Sequence, residues 1–118
     1  MFGLTAEALI LYHTHVEADP RIESAIRLAL DAMWERAWLP DQQAFGYRQD
    51  DPSPAPDLNL LIAPVYAWAY AQSCDPVLVE RADAIFTGGV TSAYLVGPKQ
   101  YNQNYRFSFD YLTWRGGE

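Results

Sequence analysis

Asp-Pro occurs three times in this chain, and two of the copies, Asp19-Pro20 and Asp75-Pro76, each stand between two segments with helical apolar spacing. An aspartate before a helix can accept a hydrogen bond from one of the free N–H groups of the first turn. Proline, with its fixed φ and missing N–H, fits that first turn and is costly deeper inside a helix. Each dipeptide therefore predicts a helix start close behind a helix end, and so a hairpin whose short turn forces antiparallel packing. At the 56-residue shift that superimposes the two dipeptides, Leu9 falls on Val65, Tyr12 on Trp68 and Ile22 on Leu78. A period of this size is typical of hairpin arrays in which one unit cannot bury its apolar face alone.

The pattern between these marks supplies the elements. Thr5, Glu7 and Glu17 bracket a first helix with Ala6, Leu9, Ile10, His13 and Val16 on one face. The second helix carries Ile22, Ala25, Ile26, Ala29, Met33 and Ala37, and Pro40 ends it. LPDQQAFGYR, residues 39–48, reads as a turn, and DDPSPAPD, residues 50–57, as an acidic proline-rich connector whose Asp57 caps a third helix. Residues 58–71 are apolar on all sides apart from Asn59 and tyrosine hydroxyls, as expected of a central helix kinked or started at Pro64. Cys74 is expected as a small buried hydrophobe before the next turn. The fourth helix turns Leu78, Ala82, Ile85 and Phe86 inward and is expected to stop at Gly88-Gly89, as Gly116-Gly117 marks the end of the chain's last element.

That last element, KQYNQNYRFSFDYLTW (residues 99–114), fits two periods. As a helix it stacks Tyr101, Tyr105, Phe109 and Leu112 in one stripe; as a strand it alternates Tyr105, Phe107, Phe109 and Tyr111 with smaller or polar residues. The helical surroundings favour helix. The expectation is a single all-α domain of antiparallel helical hairpins: hairpin 5–39, loop and linker 40–57, hairpin 58–89, and an aromatic C-terminal helix 98–114.

Charge and composition close off several functions. Eight Lys and Arg against fifteen Asp and Glu give a net charge of −7, which repels nucleic acid. The longest apolar run, about a dozen residues from Leu60, falls short of the ~20 that a membrane span needs. A single cysteine excludes an internal disulfide and any cysteine-based zinc cluster, and no other metal or cofactor is expected. His13 and Glu17, four apart, share a helix face, whereas His13 and His15 do not. With no basic leader ahead of the first apolar block, the chain as given reads as cytoplasmic.

Residues 18–48 and 57–76, with the Asp-Pro-Arg turn, the tryptophan late in the second helix and the Phe-Gly-Tyr loop after it, resemble consecutive hairpins of the six-hairpin (α/α) toroid proteins. Many glycoside hydrolases and polysaccharide lyases belong to that group. The resemblance implies a fragment-like portion of a toroid, completed either by a larger parent chain or by a homo-oligomer, and it implies an oligosaccharide as ligand. Aromatic rings stack on a pyranose face while amides, Arg and Asp divide its hydroxyls. The candidates for such binding are Tyr101, Asn102, Asn104, Tyr105 and Arg106 in the tail and Trp34, Trp38 and Tyr47 around the first hairpin's end. Asp110, Tyr105 and Arg106 are the candidates for catalysis, with Asp57 and Asp83 as further carboxylates. The competing expectation is an inert assembly module whose aromatic tail packs against another copy or chain.

Overall fold

The computed structural model describes residues 2–48 and 50–116. These form α1 (Phe2–His15), α2 (Pro20–Ala37), β1 (Trp38–Leu39), β2 (Ala44–Arg48), β3 (Asp51–Pro54), α3 (Asn59–Ser73), α4 (Pro76–Ser92) and α5 (Pro98–Arg115), with single 3-10 turns at Pro40–Gln42 and Pro56–Leu58. The aromatic tail is a helix. Gly117, half of the expected terminal stop, lies outside the described residues.

Both Asp-Pro turns form as the sequence predicts. The Asp19 side chain accepts the Arg21 N–H at 2.9 Å, and the Asp75 side chain accepts the Val77 N–H at 3.0 Å. The first turn has a further fastener in His13, whose Nδ1 accepts the Asp19 N–H at 2.9 Å while its ring stands edge-on to Trp68 at 5.8 Å. This accounts for a histidine on an apolar face without a metal. Among the described residues no three His, Cys, Asp or Glu side chains are grouped to hold one.

α3 is the axis of the molecule. Its all-round apolar sequence is matched by burial on nearly every side, and α1, α2, α4 and α5 all pack against it. Trp68, Tyr66, Leu30, Leu78 and Ile85 are fully buried around it. The Tyr66 hydroxyl, which burial keeps protonated well above the usual tyrosine range, donates to the Leu30 carbonyl at 2.7 Å and ties α3 to α2. Asn59, also fully buried, donates to the carbonyls of Gln43 (2.8 Å) and Ile85 (2.9 Å), clamping the first 3-10 turn to α4.

Several expectations need correction. The domain is mostly helical rather than all-α, because the predicted loop and linker 40–57 contains most of a three-stranded antiparallel sheet in the order β1-β2-β3. Trp38 pairs with Phe45, Leu39 with Ala44, Gly46 with Pro54 and Arg48 with Asp51. The prolines that disguised the third strand are tolerated there because β3 is an edge. Gly88 and Gly89 do not stop α4, which runs on to Ser92; both are buried, and their missing side chains let α4 approach the Gln43 turn and the start of α3. Asp57 does not cap α3. Its carboxylate takes the Tyr94 N–H instead, anchoring the α4–α5 connection. α1 starts at Phe2, ahead of Thr5, and α3 runs through Pro64 from Asn59. Cys74 is exposed, in the left-handed position (φ 57°) that ends α3.

Between the two hairpins runs a ladder of ion pairs. Arg27 meets Asp75 at 2.8 Å and Asp31 at 3.1 Å, and Arg81 meets Asp31 at 2.9 Å while lying over the Trp34 ring. On the other side of α4, Asp83 accepts from both Arg115 and Tyr111 of α5. The Arg21 guanidinium holds Asp19 down to about 2, and the Arg27 guanidinium lowers Asp75. Burial works against ionisation of Asp83, but the hydrogen bonds from Arg115 and Tyr111 outweigh it, so this carboxyl too sits below the usual range. Carboxyls with folded pKa values below their unfolded values contribute stability above about pH 4 and lose it as pH falls toward about 2. The melting temperature should therefore be flat from neutral pH to about 4.5 and drop steeply below. A melting series for Asp75→Asn, shallower than wild type in that window, checks the assignment.

Candidate functional site

α5 turns two kinds of surface in two directions. Phe107 and Tyr111 are buried, and Tyr111 stacks on Phe86 of α4 with ring centroids 4.1 Å apart. On the far side stand Tyr101, Tyr105, Phe109 and Leu112, exposed by 53%, 58%, 55% and 57%. They occupy successive helical turns, and the three rings pair: Tyr101 stacks on Tyr105 at 6.1 Å, and Tyr105 meets Phe109 edge-on at 5.1 Å. Beside this stripe a shallow cavity of about 250 Å³ opens between α4 and α5, walled by Phe86, Val90, Leu95, Tyr101 and Tyr105. Asn104 lines it at only 4% exposure. Its Nδ2 donates to the Gln100 carbonyl at 2.7 Å, and its buried Oδ1 has no partner. Tyr94 and Val96, in the connection before α5, add to the exposed apolar area.

The candidates named from sequence are thus divided. Tyr101, Asn102 and Tyr105 lie exposed on α5, and Asn104 is buried toward α4. Arg106 is drawn toward α1 by an ion pair with Glu7, and it shares with Glu7 and Asp110 a groove of about 260 Å³ between α1 and α5. Asp83 is held between Arg115 and Tyr111, and Asp57 by the Tyr94 N–H. Trp34 and Trp38 stack on each other at 4.6 Å; Trp38 stands edge-on to Phe45 and Trp34 edge-on to Tyr66, so the pair is an extension of the core. Tyr47 is exposed at the mouth of another cavity, which α5 does not line, and none of these three residues lines the cavity beside the α5 stripe.

That other cavity, about 310 Å³, lies where the start of α1, the end of α2, β2 and the start of α3 converge. Met33, Phe45, Leu61 and Ile62 are among its walls, and Arg36, Tyr47 and Arg48 stand around it. The sequence reading passed over Arg36 and Arg48, since whether an arginine is paired depends on residues far away in the chain. It also passed over Val90, Tyr94 and Leu95, whose apolar character is plain in the sequence but which lie beyond the supposed glycine stop.

No helix among the described residues is long and apolar enough to cross a membrane. No protein-family model, curated protein or solved structure matches the chain.

Proposed function

We propose that this protein is an assembly module that pairs with a second copy of itself through the outer face of α5. The observation that carries this reading is the stripe Tyr101, Tyr105, Phe109 and Leu112, four apolar side chains at helical spacing, each more than half exposed, of which the three aromatic ones pair ring to ring. At roughly 100 Å² apiece, they offer about half of the ~800 Å² that one partner contributes to an interface of standard size. Val90, Tyr94, Leu95 and Val96 offer a comparable share alongside. No charged residue interrupts the stripe, so the net charge of −7 on each copy is carried elsewhere. A two-fold axis sets the same patch of both copies face to face, so that every apolar contact of one copy is repeated by the other.

A carbohydrate reading draws on the same parallel Tyr101–Tyr105 stack and exposed Asn102. It is the weaker of the two because Asn104 and Arg106, the groups best suited to sugar hydroxyls, are turned to Gln100 and Glu7.

Light scattering behind a sizing column tests the proposal directly. The expected native mass is twice 13.4 kDa, falling to the monomer value in Tyr105→Ser/Phe109→Ser with helical circular dichroism retained, while Tyr47→Ser stays dimeric. A wild-type monomer at high protein concentration sinks the proposal, and if its tyrosine emission then responds to an oligosaccharide panel the surface reverts to the carbohydrate reading. A trimer that survives the double substitution would instead fit closure of six hairpins into a ring, as the toroid resemblance implies.

A further inference from the structure

We infer that the cavity between α1, α2, β2 and α3 binds a small amphiphile, an apolar body of roughly ten carbon atoms carrying an oxyanion head. The argument begins with the chain's cations. Of its seven arginines and one lysine, Arg21, Arg27, Arg81, Arg106 and Arg115 are each ion-paired with an aspartate or glutamate. Among the described residues no ion pair is made by Arg36, Arg48 or Lys99, and two of these three border this one cavity.

Fifteen acidic residues outnumber the cations almost two to one, yet none of those among the described residues lines it. The nearest in register, Asp51 opposite Arg48, turns its carboxylate to the Ser53 N–H at 2.9 Å. The start of α1, whose first turn carries no acidic side chain, also borders the space through Phe2 and Gly3, and a helix start favours negative charge. In a molecule this acidic, a cation-rimmed and acid-free cavity is a place where an anion is not repelled.

The walls set the chemistry of the ligand's body. Met33, Phe45, Leu58, Leu61 and Ile62 offer hydrocarbon and no side-chain hydrogen bond, so that body must be apolar. At about 30 Å³ per non-hydrogen atom, 310 Å³ holds on the order of ten such atoms. A guanidinium at the rim matches a carboxylate or a phosphate monoester equally, each through two parallel N–H···O bonds.

Calorimetry with decanoate, decyl phosphate and decanol, each below its micelle concentration, reads head and body separately. The emission of Trp38, which touches the cavity wall at Phe45, gives a second signal. One-to-one binding of decanoate or decyl phosphate is expected, at least tenfold tighter than decanol, with the tighter of the two naming the head. Arg36→Gln/Arg48→Gln should remove that advantage while leaving decanol binding and the melting temperature in place, since both side chains are exposed. Ala32→Leu, which pushes a larger side chain into the space, should weaken all three probes. Absence of binding by either anion in the wild type overturns the inference. So does equal binding of decanoate by the wild type and the double arginine variant, or undiminished binding by Ala32→Leu, which would put the ligand elsewhere.

Discussion

Replacing Gly88 by alanine is expected to destabilise the protein by at least about 2 kcal/mol, lowering its melting temperature by on the order of 10 °C. Helix propensity alone argues the opposite, because alanine in a helix interior is about 1 kcal/mol better than glycine, and Gly88 lies well inside α4. The surroundings decide the sign. A Cβ at residue 88 would overlap the backbone carbonyl oxygen of Gln43 and crowd that residue's own carbon atoms. Gln43 has little room to yield: it sits in the left-handed region at φ 47°, closes the 3-10 turn through its N–H, and gives its carbonyl to the buried Asn59 amide. Retreat of the carbonyl would strand an Asn59 donor whose Oδ1 already lacks a partner. Gly89→Ala is the internal comparison. Its Cβ meets only side-chain carbons of Asn59 and Leu60 at 3.0–3.2 Å, so its loss should be the smaller. Chemical denaturation of both variants checks the order, and a Gly88→Ala protein as stable as wild type would mean that α4 and the turn do not meet as described.

Gly88 also marks the boundary of what a reader of the sequence can see. The Asp-Pro starts are legible because the cause is local: a carboxylate two residues from the N–H it accepts, and a proline whose ring fits one helical position. The central position of α3 is legible because a segment apolar on every side has no face to give to water. Glycine is ambiguous in one dimension. It ends a helix or lets another segment come close, and only the approach of Gln43, far off in the chain, separates the two roles at Gly88. The sheet was hidden for a related reason. β3 is Asp-Pro-Ser-Pro, a sequence with poor strand propensity, held because Phe45 on the neighbouring strand is buried in the core and because an edge tolerates prolines. In the candidate site the aromatic stripe of α5 was visible as a spacing. That Asn104 turns inward and Arg106 sideways could not be seen without α4 and α1 in place.

Trp68→Ala against Tyr12→Ala measures how far the internal repeat extends into energetics. The two positions correspond at the 56-residue shift, and each lies in the helix that precedes an Asp-Pro cap with the same hydrogen-bond pattern. Equal units would give equal losses. Their surroundings differ, however, because α3 is enclosed by other helices while α1 lies at the edge: Trp68 is 1% exposed and Tyr12 is 43% exposed. Truncating Trp68 removes a ring packed in the core and against His13, leaves a cavity that the tightly held α3 cannot close, and should cost about 3–5 kcal/mol. Truncating Tyr12 removes a half-exposed ring and its hydrogen bond to Glu17 and should cost under about 1 kcal/mol. Denaturation midpoints at constant slope provide the comparison. A Tyr12→Ala loss approaching that of Trp68→Ala would mean that α1 is covered in solution as fully as α3. The exposed Leu4, Leu9 and Leu11 on the same helix would then have to be covered as well, extending the interface between copies from α5 to α1.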